Sequence, residues 1–289
     1  MTHINKRPWL LYALVTTLFW GVWGAFIEIP EKAGFPATLG YVVWAFTMIP
    51  CALFALKKIN WKLNTQARNW VFGLVVGLTG AGGQLLLFQA LRQGPAYIVF
   101  PIISLFPVVT IFLSLFFLRE RAAGKAKLGI VLALVAIALL AYQPPSHNNF
   151  SSYWWLVLAV MVFFMWGIQA FVMKMANSTM EAESLFFYMA LAALLLTPVA
   201  IYMTNFSVPV NWGWKGPGLA AGIHLLNSIG ALTLVYALRY GKAIIVVPLT
   251  GLSPVITILI SLLLYNVIPH PVTLAGLVIA VVAIYLITE

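Results

Sequence analysis

The sequence predicts an all-α membrane protein with ten transmembrane helices, arranged as two inverted five-helix repeats (5+5), N-in and C-in. Three observations lead there. Of the 289 residues, 63% are hydrophobic and 8% charged, where a soluble domain carries roughly a quarter charged. The apolar residues fall in runs of about 20, the length a helix needs to cross roughly 30 Å of hydrocarbon. The chain also matches itself at a constant offset of 147 residues.

The apolar runs, read between charged or Pro/Gly-rich breaks, place spans at 9–29, 38–56, 70–91, 95–118, 126–142, 153–173, 184–203, 217–238, 243–265 and 271–287. The first run follows Lys6 and Arg7. It is too long for a signal-peptide core and lacks a small-x-small cleavage site, so it reads as the first spanning helix. The polar stretch 143–152 (QPPSHNNFSS) falls at the midpoint and divides the chain into units 1–143 and 152–289.

With the N-terminus inside, thirteen Lys and Arg fall on the cytoplasmic side, and three, Lys32, Arg92 and Lys215, fall outside. That bias selects N-in, C-in. It also explains the net charge of +10 without nucleic acid, since no basic patch interleaves with aromatics on a polar surface. Trp9, Trp61, Trp70, Trp154, Trp155, Trp212 and Trp214 sit near span ends, where an aromatic belt forms.

Residues 90–115 and 237–262 are identical at 15 of 26 positions. The matches include Arg92/Arg239, Gly94/Gly241, Pro101/Pro248, Pro107/Pro254, Thr110/Thr257 and Ser114/Ser261. Residues 129–139 and 276–286 agree at 7 of 11. Trp20-Gly21 meets Trp166-Gly167 at offset 146, and Pro50 meets Pro198 at 148. Two unrelated apolar helices would share Leu, Val and Ile, but not prolines, a glycine and an arginine in register. A unit of five helices is odd, so the second copy enters the membrane from the other side. Inverted repeats are the architecture of secondary transporters.

Deep polar residues in a span face the protein interior or a water-filled cavity. Here they are Gln84, Ser104, Gln169, His224, Asn227, Thr250 and Ser253. Trp20, Trp23 and Trp166 lie near the middle of the first and sixth spans and are candidate cavity walls. These ten form the candidate substrate-binding set. His224 lies three residues before Asn227, on the same helix face. Pro101, Pro107, Pro248 and Pro254 remove backbone hydrogen bonds inside spans four and nine and are candidate hinges. Gly73, Gly77, Gly80, Gly82 and Gly83 give the third span a face for close helix approach.

Acidic residues are few and all near span ends. Glu28 aligns with Lys174 in the repeat, and Glu120 aligns with Val267. Glu120 is expected to pair with Arg121 or Lys125. With no carboxylate deep in a span, a neutral or zwitterionic solute fits better than a strong cation. The single cysteine, Cys51, excludes an intramolecular disulfide, and no Cys/His spacing suggests a metal site. No HExxH, GxSxG or carboxylate pair suggests an enzyme.

Phe19-Trp20-Gly21, then Ala90-Leu91-Arg92 leading to Pro107 and on to Leu118-Arg119-Glu120, resemble the EamA branch of the drug/metabolite transporter superfamily. The resemblance spans both repeats. It implies a 5+5 transporter with a central cavity, whose relatives carry amino acids, other metabolites, nucleotide-conjugated sugars and drugs. The expectation is a secondary transporter in the cytoplasmic (inner) membrane, with a lipid bilayer and a small-molecule substrate as partners and no cofactor. It would move small neutral or zwitterionic metabolites, amino acids among them, by alternating access. Coupling to a proton or counter-solute is compatible with the composition. The alternatives are a flippase of a lipid or lipid-linked sugar, or a drug exporter.

Overall fold

The computed structural model describes residues 7–145, 153–265 and 269–288. Lys6, His147, Val267 and Glu289 lie outside them. Every regular element among the described residues is helical. α1 is Pro8–Phe26, prolonged past a turn by Glu28–Lys32, and α2 is Ala37–Lys58. α3 is Ala67–Gln93, and α4 comes in two pieces, Ala96–Ser104 and Phe106–Phe117. α5 is Gly124–Leu140 and α6 is Trp154–Ala176. α7 is Ala182–Leu195, continued by Thr197–Tyr202. α8, Leu219–Tyr240, follows a wide turn at Trp214–Gly218. α9 is again in two pieces, Ala243–Thr250 and Pro254–Tyr265, and α10 is Pro271–Thr288.

Among the described residues, nine helical stretches are long and apolar enough to cross a membrane. The sequence predicts ten. α5 is the difference: its 17 residues make about 25 Å of helix at 1.5 Å per residue, at the short end of what crosses a bilayer. It is wholly apolar after Lys127 and packs along α10.

Prolines and glycines mark the boundaries. Pro8 sits in the first turn of α1, where its missing N–H is no loss. Gly94-Pro95 separates α3 from α4, and Gly241-Lys242 separates α8 from α9. Pro50 is absorbed inside α2, whereas its mate Pro198 opens a new piece after Leu196.

The two repeats interdigitate. α1 lies along α8, and its repeat-equivalent α6 lies along α3. α2 packs on both α7 and α8, and α3 on α7. Gly129 of α5 meets Leu286 and Ile287, and Gly276 of α10 meets Leu139 and Leu140, the same contact read in both directions. The core shared by these pairs includes Tyr41, Met48, Phe186, Tyr188, Leu249 and Leu252, all fully buried.

Candidate functional site

The broken helices α4 and α9 meet α1, α2, α3, α6, α7 and α8 around a central cavity of about 280 Å³. Nine of the ten residues singled out from the sequence line it: Trp20, Trp23, Gln84, Ser104, Trp166, Gln169, Asn227, Thr250 and Ser253. His224 does not. It is buried behind the wall, where its Nδ1 accepts a hydrogen bond from the Trp23 indole N–H at 3.3 Å. Its Nε2 faces Gly40 of α2. His224 reaches the cavity only through Trp23.

The cavity walls are built twice in the same way. The Trp20 indole N–H donates to the Asn227 carbonyl at 3.3 Å, and the Trp166 indole N–H donates to the Gly80 carbonyl at 3.3 Å. Each ring lies against a glycine, Gly230 and Gly83 respectively, where a Cβ would overlap it. The Thr257 hydroxyl donates to the Gly21 carbonyl at 2.8 Å, and the Thr110 hydroxyl donates to the Gly167 carbonyl at 2.8 Å. A Cβ on Gly21 would strike Ile256, and one on Gly167 would strike Val109, its repeat mate. These four contacts tie α1 to α8 and α9, and α6 to α3 and α4.

The helix breaks flank the cavity. Pro107 and Pro254 open the second pieces of α4 and α9, while Pro101 and Pro248 lie inside the first pieces. At the breaks the bonding tightens to three residues: the Leu105 N–H donates to Ile102 at 3.4 Å, and Leu252 and Ser253 donate to Leu249 and Thr250 at 3.2 Å. Proline has no N–H to offer the carbonyl one turn back, so each break falls beside the cavity.

The polar groups divide into satisfied and open sets. The Thr250 hydroxyl donates to Val246 and Val247 carbonyls at 3.1 Å, and the Ser104 hydroxyl donates to Pro101 at 3.0 Å. The side-chain carboxamides of Gln84, Gln169 and Asn227 make no hydrogen bond to the described residues. Each offers two donors and an acceptor oxygen. No charged side chain among the described residues lines the cavity. Among the described residues no cluster of His, Cys, Asp and Glu could hold a metal.

Apart from Trp20 and Trp166, five pairs of lining positions repeat in place but not in chemistry. Trp23 pairs with Gln169, Gly80 with Asn227, Gln84 with Ala231, Ser104 with Gly251 and Phe106 with Ser253. All ten line the cavity, and in every pair the two side chains differ in chemistry. Phe106 was therefore findable from sequence as the mate of Ser253. Trp44, Met48, Met173 and Met189 also line the cavity. Nothing in an apolar span distinguishes such residues from lipid-facing ones.

The two ends of the bundle differ. At one end Lys174 of α6 donates to the carbonyls of Leu238 and Gly241 at 2.8 and 2.6 Å. Glu120 accepts from the Ile244 N–H at 3.1 Å, at the start of α9. The sequence pairs Glu120 with Arg121 or Lys125; the contact seen here is with a helix N-terminus, which attracts a carboxylate. Arg239 donates to the Met180 carbonyl at 2.8 Å and Tyr236 to Glu183 at 2.7 Å. At the other end Glu28, the mate of Lys174, pairs with Lys32 at 2.6 Å, both side chains exposed. Arg92 there donates to the Met203 carbonyl at 2.9 Å.

Comparison with known proteins accords with this architecture. Residues 7–142 and 153–289 each match the model of the EamA-like transporter family. Protein LicB of Haemophilus influenzae is 22% identical over 278 residues, 87% of this chain and 94% of that protein. The pseudopaline exporter CntI of Pseudomonas aeruginosa is 27% identical over 210 residues, covering 73% of this chain and 72% of its own. An uncharacterized protein of Methanocaldococcus jannaschii is 31% identical over 132 residues, 46% of this chain and 95% of its own. A solved crystal structure with 17% identity superposes at a TM-score of 0.78, covering 96% of this chain and 98% of its own, and shares the fold. With both halves matched, this multi-pass membrane protein belongs to the EamA-like transporter family.

Proposed function

We propose that the protein is a secondary transporter of small neutral or zwitterionic metabolites, amino acids among them, across the cytoplasmic membrane. It would work by alternating access, with ten spans in two inverted units, 1–143 and 152–289, both termini inside. The observation that carries the substrate class is the open set of carboxamides, Gln84, Gln169 and Asn227, in a cavity with no charged side chain among the described residues. These half-buried amides face the cavity with donors and acceptors to offer a partner that enters and leaves. An uncharged or internally balanced solute needs hydrogen bonds and aromatic walls there rather than a counter-charge. Trp20, Trp23 and Trp166 supply the walls, Thr250, Ser104 and Ser253 the lining at the breaks, and His224 holds Trp23. Pro101, Pro107, Pro248 and Pro254 serve as hinges.

The test is purified protein in proteoliposomes with a panel of labelled neutral, zwitterionic and cationic metabolites. Uptake or exchange of a neutral or zwitterionic solute is expected. Its loss in Asn227→Leu and Gln84→Leu would place the solute in this cavity. Flux confined to strong cations, or none across the panel, would overturn the reading.

A second reading, movement of a lipid or lipid-linked sugar, draws on one observation. A lipid-facing groove between α2 and α8 runs beside the cavity, and Trp44 and Met48 of α2 and Asn227 of α8 line the cavity on the other side. Scrambling of a fluorescent lipid in the same vesicles would favour it.

A further inference from the structure

α2 and α8 start at the same end of the bundle, joined there by the buried cluster of Phe35, Leu39 and Ala220. Beyond it they part. Val43, Phe46 and Pro50 form one wall of a groove, and Leu219, Gly222 and Leu226 form the other. Thr47 brings the one hydroxyl in the lining, and it is tied to Ser228 at 2.9 Å. A Cβ on Gly222 would meet nothing within 4 Å. The equivalent contact in the other half is closed, because Gly73 and Gly77 of α3 let Tyr188, Met189 and Ala192 of α7 press in. The opening is thus particular to α2 and α8, and it persists where the repeat could have closed it.

The groove's length and ends identify its occupant. It begins at Trp214, which is 79% exposed, and reaches Leu226. The wide turn and the first eight residues of α8, about 12 Å of α-helix, together fit within the roughly 15 Å of hydrocarbon in one leaflet. An exposed tryptophan at a helix start marks the headgroup level, and Lys215 beside it adds a positive charge there. Below that level an apolar groove on a membrane-spanning chain meets hydrocarbon. We propose that this groove binds one phospholipid from the Trp214-side leaflet, its acyl chain between α2 and α8 and its anionic headgroup near Lys215. The proposal goes beyond transport and does not depend on it.

The experiment is native mass spectrometry of the detergent-purified chain, after exposure to mixed micelles of equal phosphatidylglycerol and phosphatidylcholine. Wild type is expected to retain one tightly held lipid, with phosphatidylglycerol preferred. Gly222→Phe, which fills the groove, should lose that lipid. Gly124→Phe, equally open but distant, should keep it. Lys215→Gln should keep a lipid and lose the preference for phosphatidylglycerol. Unchanged retention in Gly222→Phe, or no retained lipid in wild type, would overturn the proposal. A wild-type measurement guards against misfolding of the variants. A phospholipid with a photoreactive acyl chain should label peptides from residues 43–50 and 219–226, and labelling confined to other helices would overturn the assignment.

Discussion

The middle of the molecule and its ends follow different rules. At the middle two ties are made twice: Trp20 to Asn227 and Trp166 to Gly80, Thr257 to Gly21 and Thr110 to Gly167. At the ends the ties are single. Lys174 binds two carbonyls at 2.8 and 2.6 Å, while its mate Glu28 pairs with an exposed neighbour. A symmetric middle can pivot either way at similar cost. Under the proposed mechanism, asymmetric ends would decide which arrangement is preferred at rest, and the Lys174 end would be the closed one.

That comparison can be broken most forcefully at the two glycines. Gly21→Ala and Gly167→Ala each put a methyl into a helix contact with no room for it. Each should cost about 1–3 kcal/mol by overpacking, read as matching falls in the melting temperature of the detergent-solubilised protein. A fall in only one would show that the middle is symmetric in shape and unequal in energy.

The ends are sharpened by Lys174→Met against Glu28→Gln. Lys174→Met removes charge-assisted hydrogen bonds from a half-buried site and should cost roughly 1.5–3 kcal/mol. Glu28→Gln touches an exposed pair and should cost about 0–1 kcal/mol. Ser253→Cys in a Cys51→Ala background gives the conformational readout. Its labelling by maleimide from the Lys174 side should rise on adding Lys174→Met and stay unchanged on adding Glu28→Gln.

The cavity's chemistry is tested by Asn227→Leu and His224→Ala. Asn227→Leu should raise the Kd of a bound solute about tenfold, or roughly 1.4 kcal/mol, in a thermal-shift titration. His224→Ala should raise it less, because the imidazole acts through Trp23. Equal effects would place His224 in contact with the solute. A modest change is expected from Thr110→Val and Thr257→Val. Each loses one hydrogen bond, about 1 kcal/mol, and the two losses should add, since the pairs share no partner.

Much of this was legible in the sequence. Carboxamides deep in spans had to face inward, because hydrocarbon offers them no partner, and Gln84, Gln169 and Asn227 do. The repeat offset placed Trp20 and Trp166 as equivalents, and the structure gives them equivalent bonds. His224 escaped the rule because one neighbouring indole satisfies it, a contact 201 residues away in the chain. Glu120 finds Ile244 across 124 residues, a contact that local charge counting does not reach. The breaks sit at Leu105 and at residues 251–253, because a proline disturbs bonding around it and no single position names the break. Trp44 and Met48 read as lipid-facing or core residues alike, and only packing distinguishes them.

The interdigitation of the halves sets a timetable for synthesis. Trp20 bonds Asn227, 207 residues later, so at ~5–20 residues per second α1 waits about 10–40 s for its partner. Throughout that interval it sits in lipid with polar hydroxyls on its surface. Thr16 and Thr17 each turn back onto their own helix, donating to the Tyr12 and Ala13 carbonyls at 2.9 and 2.8 Å. Once α8 arrives, Thr16 also meets Thr233 at 2.8 Å. The same hydroxyl can thus keep the newborn helix comfortable in the bilayer and later join it to the other half.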